Sequence, residues 1–297
     1  MVSNNGTRSI KIMSVLLLTG LAALLGCDGP AKTYYRQGPT VQHTEILGGK
    51  PVKASTAFAN KVIYLAIGVE WTKTMSGMSV QHNKICTASA ISKRVLLTAA
   101  HCVAGMEPSQ INAVLSLNPF KDSNLIPADW VKVETILMHK DYQTEPEVIN
   151  DVALVYLSTD LDDVRISKIA EVSQTNSAMQ MISIGYGRTE IEGAAAENPE
   201  SLLNYVLKPV LDYKAENQKI TVEQFDKTGI CSGDSGSPGF IYDTSKKEFF
   251  VIGIASYVTH AKNKKGEDRT AESCHGYGVY MSAIIFNKWI NDSVKLF

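Results

Sequence analysis

The sequence predicts an all-β protein. From residue 46 onward, short runs rich in apolar and β-branched residues recur, separated by Gly, Pro, Asn and Asp, the pattern of a sandwich or barrel. Helical spacing of apolar residues occurs in one stretch, at the C-terminal end. Hydrophobic residues make up 44% and charged residues 20%, with 21 Gly and 10 Pro. That is globular usage and excludes a disordered chain, a collagen-like repeat or a disulfide-dense miniprotein. A length of 297 residues allows one large β domain or two smaller units, either able to bury a core.

Taken in order, the chain opens with an address. Residues 1–11 carry Arg8 and Lys11 and no acid, and residues 12–25 are apolar apart from Ser14, Thr19 and Gly20. This stretch is short for a membrane span and reads as a signal peptide over 1–26. Leu24-Leu25-Gly26-Cys27 resembles the lipobox of bacterial lipoproteins, which implies acylation of Cys27 and a lipid anchor in a membrane. Residues 27–45 have Gly-Pro breaks and no apolar periodicity, as a tether or propeptide would. Strands are then expected over 62–69, 95–98, 111–117, 131–138, 152–157, 181–184, 249–257 and 278–281. Ile284, Ile285, Trp289, Ile290 and Val294 mark a terminal helix. In the loop 118–129, Asp122 and Asp129 read as solvated acids.

Three motifs carry chemistry. Thr98-Ala99-Ala100-His101-Cys102 closes an apolar run, and a histidine at a strand end can act as a general base near neutral pH. Gly233-Asp234-Ser235-Gly236-Ser237-Pro238 sets a serine between glycines, which permit a tight turn and leave amide groups free to face a ligand. Asn150-Asp151-Val152-Ala153-Leu154 places an acid before a buried-looking strand. Each alone is more often a structural feature. Together, in the order His, Asp, Ser, the three resemble the motifs of the trypsin/chymotrypsin family of serine endopeptidases.

That resemblance covers residues 46–297 and implies two antiparallel six-stranded β-barrels with a C-terminal α-helix, the barrel boundary falling near 165–178. It assigns His101 as general base, Asp151 as its orienting acid and Ser235 as nucleophile, with Gly233 and Ser235 as the oxyanion hole. Ile46-Leu47-Gly48-Gly49 resembles the N-terminus exposed when family zymogens are cut, so Ile46 is expected to pair with Asp234 after cleavage at Glu45–Ile46. Disulfides Cys86–Cys102 and Cys231–Cys274 follow from the same resemblance. So does a substrate-binding set of Gly229, Ile230, Ser256, Tyr257, Val258 and Gly278. Gly229 stands where trypsin-like members carry an aspartate, and Val258 resembles the elastase-like wall, so small or medium apolar residues are expected before the scissile bond.

With two cysteine pairs, the fifth cysteine is Cys27, and disulfides agree with export to an oxidising compartment. The expected location is a bacterial periplasm or membrane surface, or the exterior. The expected partners are polypeptide substrates and an activating protease other than a trypsin-like one, since the bond follows Glu45. The first 45 residues hold four of the 29 basic and two of the 30 acidic residues, leaving 46–297 at −3. No basic surface for nucleic acid follows from that balance. No cofactor is expected, and no metal site, since zinc-like Cys spacing is missing. A lipase would need the reverse residue order and a glycine at Ser237. A binding module derived from a protease would commonly lose one of the three residues, and all are kept.

Overall fold

The computed structural model describes residues 46–74, 77–119, 130–175, 179–187, 202–213, 218–260 and 274–296. The expected signal peptide, Cys27, the tether and the acids Asp122 and Asp129 lie outside these residues. Among the described residues no helix is long and apolar enough to cross a membrane.

The strands, in chain order, are β1 (Lys50–Pro51), β2 (Val62–Ile67), β3 (Glu70–Thr74), β4 (Gly77–Gln81), β5 (Lys84–Ala90), β6 (Val95–Thr98), β7 (Ile111–Val114), β8 (Val131–Met138) and β9 (Ala153–Leu157). They continue with β10 (Lys168–Ile169), β11 (Gln180–Gly185), β12 (Asn204–Asp212), β13 (Lys219–Glu223), β14 (Pro238–Asp243), β15 (Glu248–His260) and β16 (Gly276–Ser282). The short helix α1 (Ala100–Val103) follows β6, and α2 (Asn287–Val294) ends the fold.

Two closed antiparallel barrels result, as the family resemblance implies. The first runs β2-β5-β6-β9-β8-β7, with β7 returning to β2. The second runs β12-β11-β14-β15-β16-β13, closed by pairing of β12 with β13. Strand β1 extends this sheet beside β12, β10 lies parallel to β15, and β3 and β4 form a separate hairpin.

Alternation along each strand divides the apolar residues among three cores. In β2, Ile63, Leu65 and Ile67 fill the first barrel, while Val62, Tyr64 and Ala66 turn outward. In β9, Val155 and Leu157 face inward, while Leu154 and Tyr156 face outward. Strand β15 sends Phe250 and Ile252 into the second barrel, and Val251 and Ile254 away from it. The outward sets of both barrels meet in one core, joined by Phe286 and Ile290 near the C-terminus. Both faces of these strands are therefore buried, which explains why β2 reads as an unbroken apolar run.

Four strands of the two barrels lie outside the eight expected runs. β5 (KICTASA) is built of small residues with a weak strand signal, although it is central and mostly fully buried. β12 contains Pro209, a residue that argues against a strand. It is accommodated opposite Gln180, the first residue of β11, where the ladder ends. β13 is short, and β14 starts on Pro238, directly behind the Gly-flanked serine. The terminal helix begins at Asn287, later than Ile284 suggests.

Helix α2 is tied down by Ile290, 1% exposed, and by the Tyr156 hydroxyl donating to the Ser293 carbonyl at 2.7 Å. Replacing Ile290 with Ala should cost about 2–5 kcal/mol, as for other large-to-small changes in a packed core. Urea unfolding of the two proteins checks this, with a lower midpoint at unchanged slope as the expected result.

Candidate active site

His101 and Asp151 meet because β6 and β9 are paired, with Thr98 opposite Ala153. The chain leaves β6 into α1, which carries His101, and reaches β9 through Asp151, so both arrive at one end of the first barrel. The His101 backbone N–H donates to Asp151 Oδ1 at 2.8 Å, and His101 Nδ1 lies 2.7 Å from Oδ2. The Ser256 hydroxyl, from β15 of the second barrel, also donates to Oδ2. The Asp151 side chain is 1% exposed and that of His101 27%. Burial pushes the Asp151 carboxyl up, but the His101 and Ser256 bonds outweigh it and leave it below the ordinary carboxylate range. The ring is thus anchored through Nδ1, while Nε2 lies 4.0 Å from Cys102 Sγ.

Ser235 comes to this point from the second barrel. Its carbonyl accepts from Thr87 N–H of β5 at 2.8 Å, and the Thr87 hydroxyl donates to the Gly233 carbonyl at 3.0 Å. Gly236 N–H donates to the Ala255 carbonyl at 2.7 Å, next to Ser256. Gly236 has φ +82°, and a Cβ there would overlap Thr98 Oγ1 and the Thr87 carbonyl. Only glycine lets the serine loop press so closely onto the first barrel. Ser235 itself is half-buried. Among the described residues no hydrogen bond joins its Oγ to His101 Nε2.

The amides of this loop divide sharply. Asp234 N–H donates to the Cys231 carbonyl, Gly236 N–H to Ala255 and Ser237 N–H to Asp234. The N–H groups of Gly233 and Ser235 have no partner among the described residues. Two unpartnered donors flank the serine side chain.

Asp234 points the other way, into the interior. It is fully buried, and its carboxylate accepts from Gly187 N–H at 2.6 Å and from Cys231 N–H at 2.8 Å. Burial pushes it up to about 7, with the two amides only partly offsetting that. Ile46 is fully buried as well. The next residue, Leu47, exchanges two backbone hydrogen bonds of 3.0 Å with Gly229, six residues before Ser235.

The remaining sequence-derived positions gather around this loop. Cys86–Cys102 and Cys231–Cys274 are disulfide-bonded. Gly229, Ile230 and Gly278 are buried, whereas Tyr257 and Val258 are half-buried on β15, with Val258 opposite Gly278 on β16. Cys86, His101 and Cys102 offer ligand atoms within 4.8 Å of one another. Both sulfurs are spent in a disulfide, so no thiolate is available for a metal there.

Two residues of the site carry no sequence motif. Lys84 Nζ donates to the His101 carbonyl at 2.9 Å. Burial lowers its pKa while the Asp151 carboxylate pulls the other way. Gln224, one residue past β13, is fully buried among the Gly229, Ile230 and Cys274 backbones. A lone Lys or Gln gives no signal until partners 17 or 50 residues away are known.

Two six-stranded barrels, a His–Asp pair on one and a glycine-flanked serine delivered from the other, define a two-barrel protein of the serine-hydrolase kind. A family model described as Trypsin matches residues 68–290, and the chain belongs to that family. It is similar to Fibrinolytic enzyme, isozyme C, of Lumbricus rubellus, 24% identical over 207 residues, covering 63% of this chain and 82% of that one. Melanization protease 1 of Drosophila melanogaster is 24% identical over 294 residues, covering 84% and 67%. Transmembrane protease serine 11B of Homo sapiens is 27% identical over 271 residues, covering 84% and 59%.

The raised pKa of Asp234 makes stability depend on pH. An unfolded aspartate ionises near 3.9, and the folded one near 7. Between these values the folded chain holds a proton that the unfolded chain has released, so stability falls as pH rises and levels off above about 7. Thermal unfolding of the intact Ser235→Ala chain from pH 5 to 8.5 should show that decline, and Asp234→Asn should flatten it.

Proposed function

We propose that this chain is an exported serine endopeptidase made as a zymogen. The observation that carries the reading is that Ser235 sits against the segment of the anchored imidazole, its carbonyl 3.6 Å from Cys102 Sγ, while the Gly233 and Ser235 amides have no partner among the described residues. Ser235 Oγ attacks the substrate carbonyl carbon while His101 Nε2 takes the hydroxyl proton. The oxyanion is held by the Gly233 and Ser235 N–H groups, preorganised charge stabilisation of the kind that usually contributes most. His101 then gives its proton to the leaving nitrogen as the C–N bond breaks, and water cleaves the acyl-enzyme by the same route reversed. Asp151 keeps the ring in the tautomer that presents Nε2 and stabilises the imidazolium.

In this reading the cut at Glu45–Ile46 frees an ammonium on Ile46 that pairs with Asp234. A buried carboxylate without a countercharge is costly, and Ile46 already lies in the interior next to the Leu47–Gly229 bridge. The relatives bear protease names, which supports peptide substrates. The lipobox-like segment supports an acylated Cys27, and the disulfides support an oxidising compartment. Gly229 offers no carboxylate to a substrate cation, so cleavage after Arg or Lys is disfavoured. Val258 and Ile230 favour small or medium apolar residues before the scissile bond.

Ser235→Ala should lower turnover of a peptide substrate by about 10⁴–10⁶-fold, because residues of such a set act as a unit. An organophosphonate should label Ser235 in the processed wild-type protein. Failure of the processed protein to label would instead indicate a binding module built on the protease fold, and near-normal peptidase activity in Ser235→Ala would end the assignment of Ser235 as nucleophile.

Processing gives a separate expectation. Cleavage after Glu45 should raise the rate at least about tenfold and remove the pH slope assigned to Asp234, since the new cation holds the carboxylate ionised. Mass spectrometry of the native protein should find a chain beginning at Ile46 and an acylated fragment beginning at Cys27. Full activity in protein intact across Glu45–Ile46 would end the zymogen reading.

A further inference from the structure

Gly229 and Gly278, both in the substrate-binding set that the family resemblance implies, share an unexpected neighbour. A Cβ built on either glycine would overlap the Gln224 side chain, in both cases at Oε1. The space that side chains at 229 and 278 would occupy is therefore already filled by the Gln224 amide. That residue is fully buried.

The amide is also fixed. Gln224 Nε2 donates to the Ile230 and Cys274 carbonyls, each at 2.9 Å, and Oε1 accepts from the Ile230 N–H at 2.9 Å. Its own N–H donates to the Gly276 carbonyl at 2.9 Å, where β16 begins. Swinging the side chain out would break three hydrogen bonds in the interior, two of them to the Ile230 backbone, a cost that interiors rarely tolerate. The disulfide Cys231–Cys274 holds the two segments that the amide bridges.

We infer that Gln224 is a specificity-determining residue: its bound amide closes the bottom of the pocket, and the enzyme takes peptides with a small uncharged side chain before the scissile bond. The inference rests on the serine-endopeptidase reading above. Both amide protons are spent, so no donor is left for an acidic side chain. A neutral oxygen is no match for a buried ammonium or guanidinium, which needs a paired charge. Glycines at 229 and 278 leave room that Gln224 fills, which narrows the expectation of small or medium apolar residues to small ones.

The test is a peptide series differing at one position, with Ala, Val, Phe, Lys or Glu before the cleaved bond. Processed enzyme is used, with active sites counted by organophosphonate titration. Ala or Val should exceed Phe, Lys and Glu in kcat/KM by about tenfold or more. Gln224→Ala removes the plug and should raise the Phe/Ala ratio by about tenfold or more. Gln224→Met, which keeps the volume and loses the hydrogen bonds, should hold the wild-type ratio. Where the alanine variant gives no titratable sites, Gln224→Asn decides through the same ratio, which should rise as the side chain shortens.

A wild-type preference for Phe, Lys or Glu in labelled enzyme overturns the inference and leaves the endopeptidase reading standing. So does an unchanged Phe/Ala ratio in the shortened variant. No hydrolysis across the series, with no labelling of Ser235, overturns both.

Discussion

The buried Asp151 carboxylate is the point on which the rest of the site depends. It is shut away from water, and each oxygen must find donors within the protein. Oδ1 is met by the His101 backbone, and Oδ2 by the His101 ring and the Ser256 hydroxyl. Those donors come from different barrels, so one carboxylate orients the imidazole and registers the second barrel against the first. The Gly236–Thr98 contact does the same from the other side, at the serine. Between the two, Ser235 is held by backbone bonds rather than by its side chain, which leaves the hydroxyl free for chemistry.

Legibility in the sequence followed the range of the interactions involved. β6 and β8 were readable to the residue because their apolar alternation is local. β5 was missed because its small residues gain strand character only from pairing with β2 and β6. The same division holds at the site. His101, Asp151 and Ser235 each lie in a contiguous motif, and three motifs in one order pointed to a family whose model then matched the chain. Thr87, by contrast, has meaning only through Gly233, 146 residues away, and Gln224 only through Ile230 and Cys274. Sequence showed glycines at 229 and 278 and suggested space. Packing filled that space from a third segment.

Asp151 and Asp234 show how environment divides one residue type into two behaviours. Both are fully buried. Asp151 has the His101 ring, the His101 backbone N–H and the Ser256 hydroxyl as partners, so its charged form is favoured despite burial. Asp234 has two backbone amides and, among the described residues, no countercharge, and burial prevails. The difference follows from their partners and not from depth. An ammonium delivered next to Asp234 would invert its balance in the same way that His101 inverts that of Asp151. The loop from Cys231 to Ser237 hangs on this carboxylate through the Cys231 amide, so such a change would be felt at the Gly233 and Ser235 amides.

The cysteines give the proposed activation a spatial consequence. All four cysteines from residue 46 onward are paired with one another, and Cys27 is the fifth of the chain. No disulfide can then tie residues 27–45 to the barrels, so a cut after Glu45 severs the covalent path between an acyl group on Cys27 and the site. On the proposed reading, one hydrolysed bond both supplies the ammonium that Asp234 lacks and frees the domain from its membrane. A single acyl-anchored segment would keep the intact, weakly active chain at the surface where it is delivered. The active form would act on substrates at a distance from that surface. A cut at that one bond would therefore end anchoring and inactivity together.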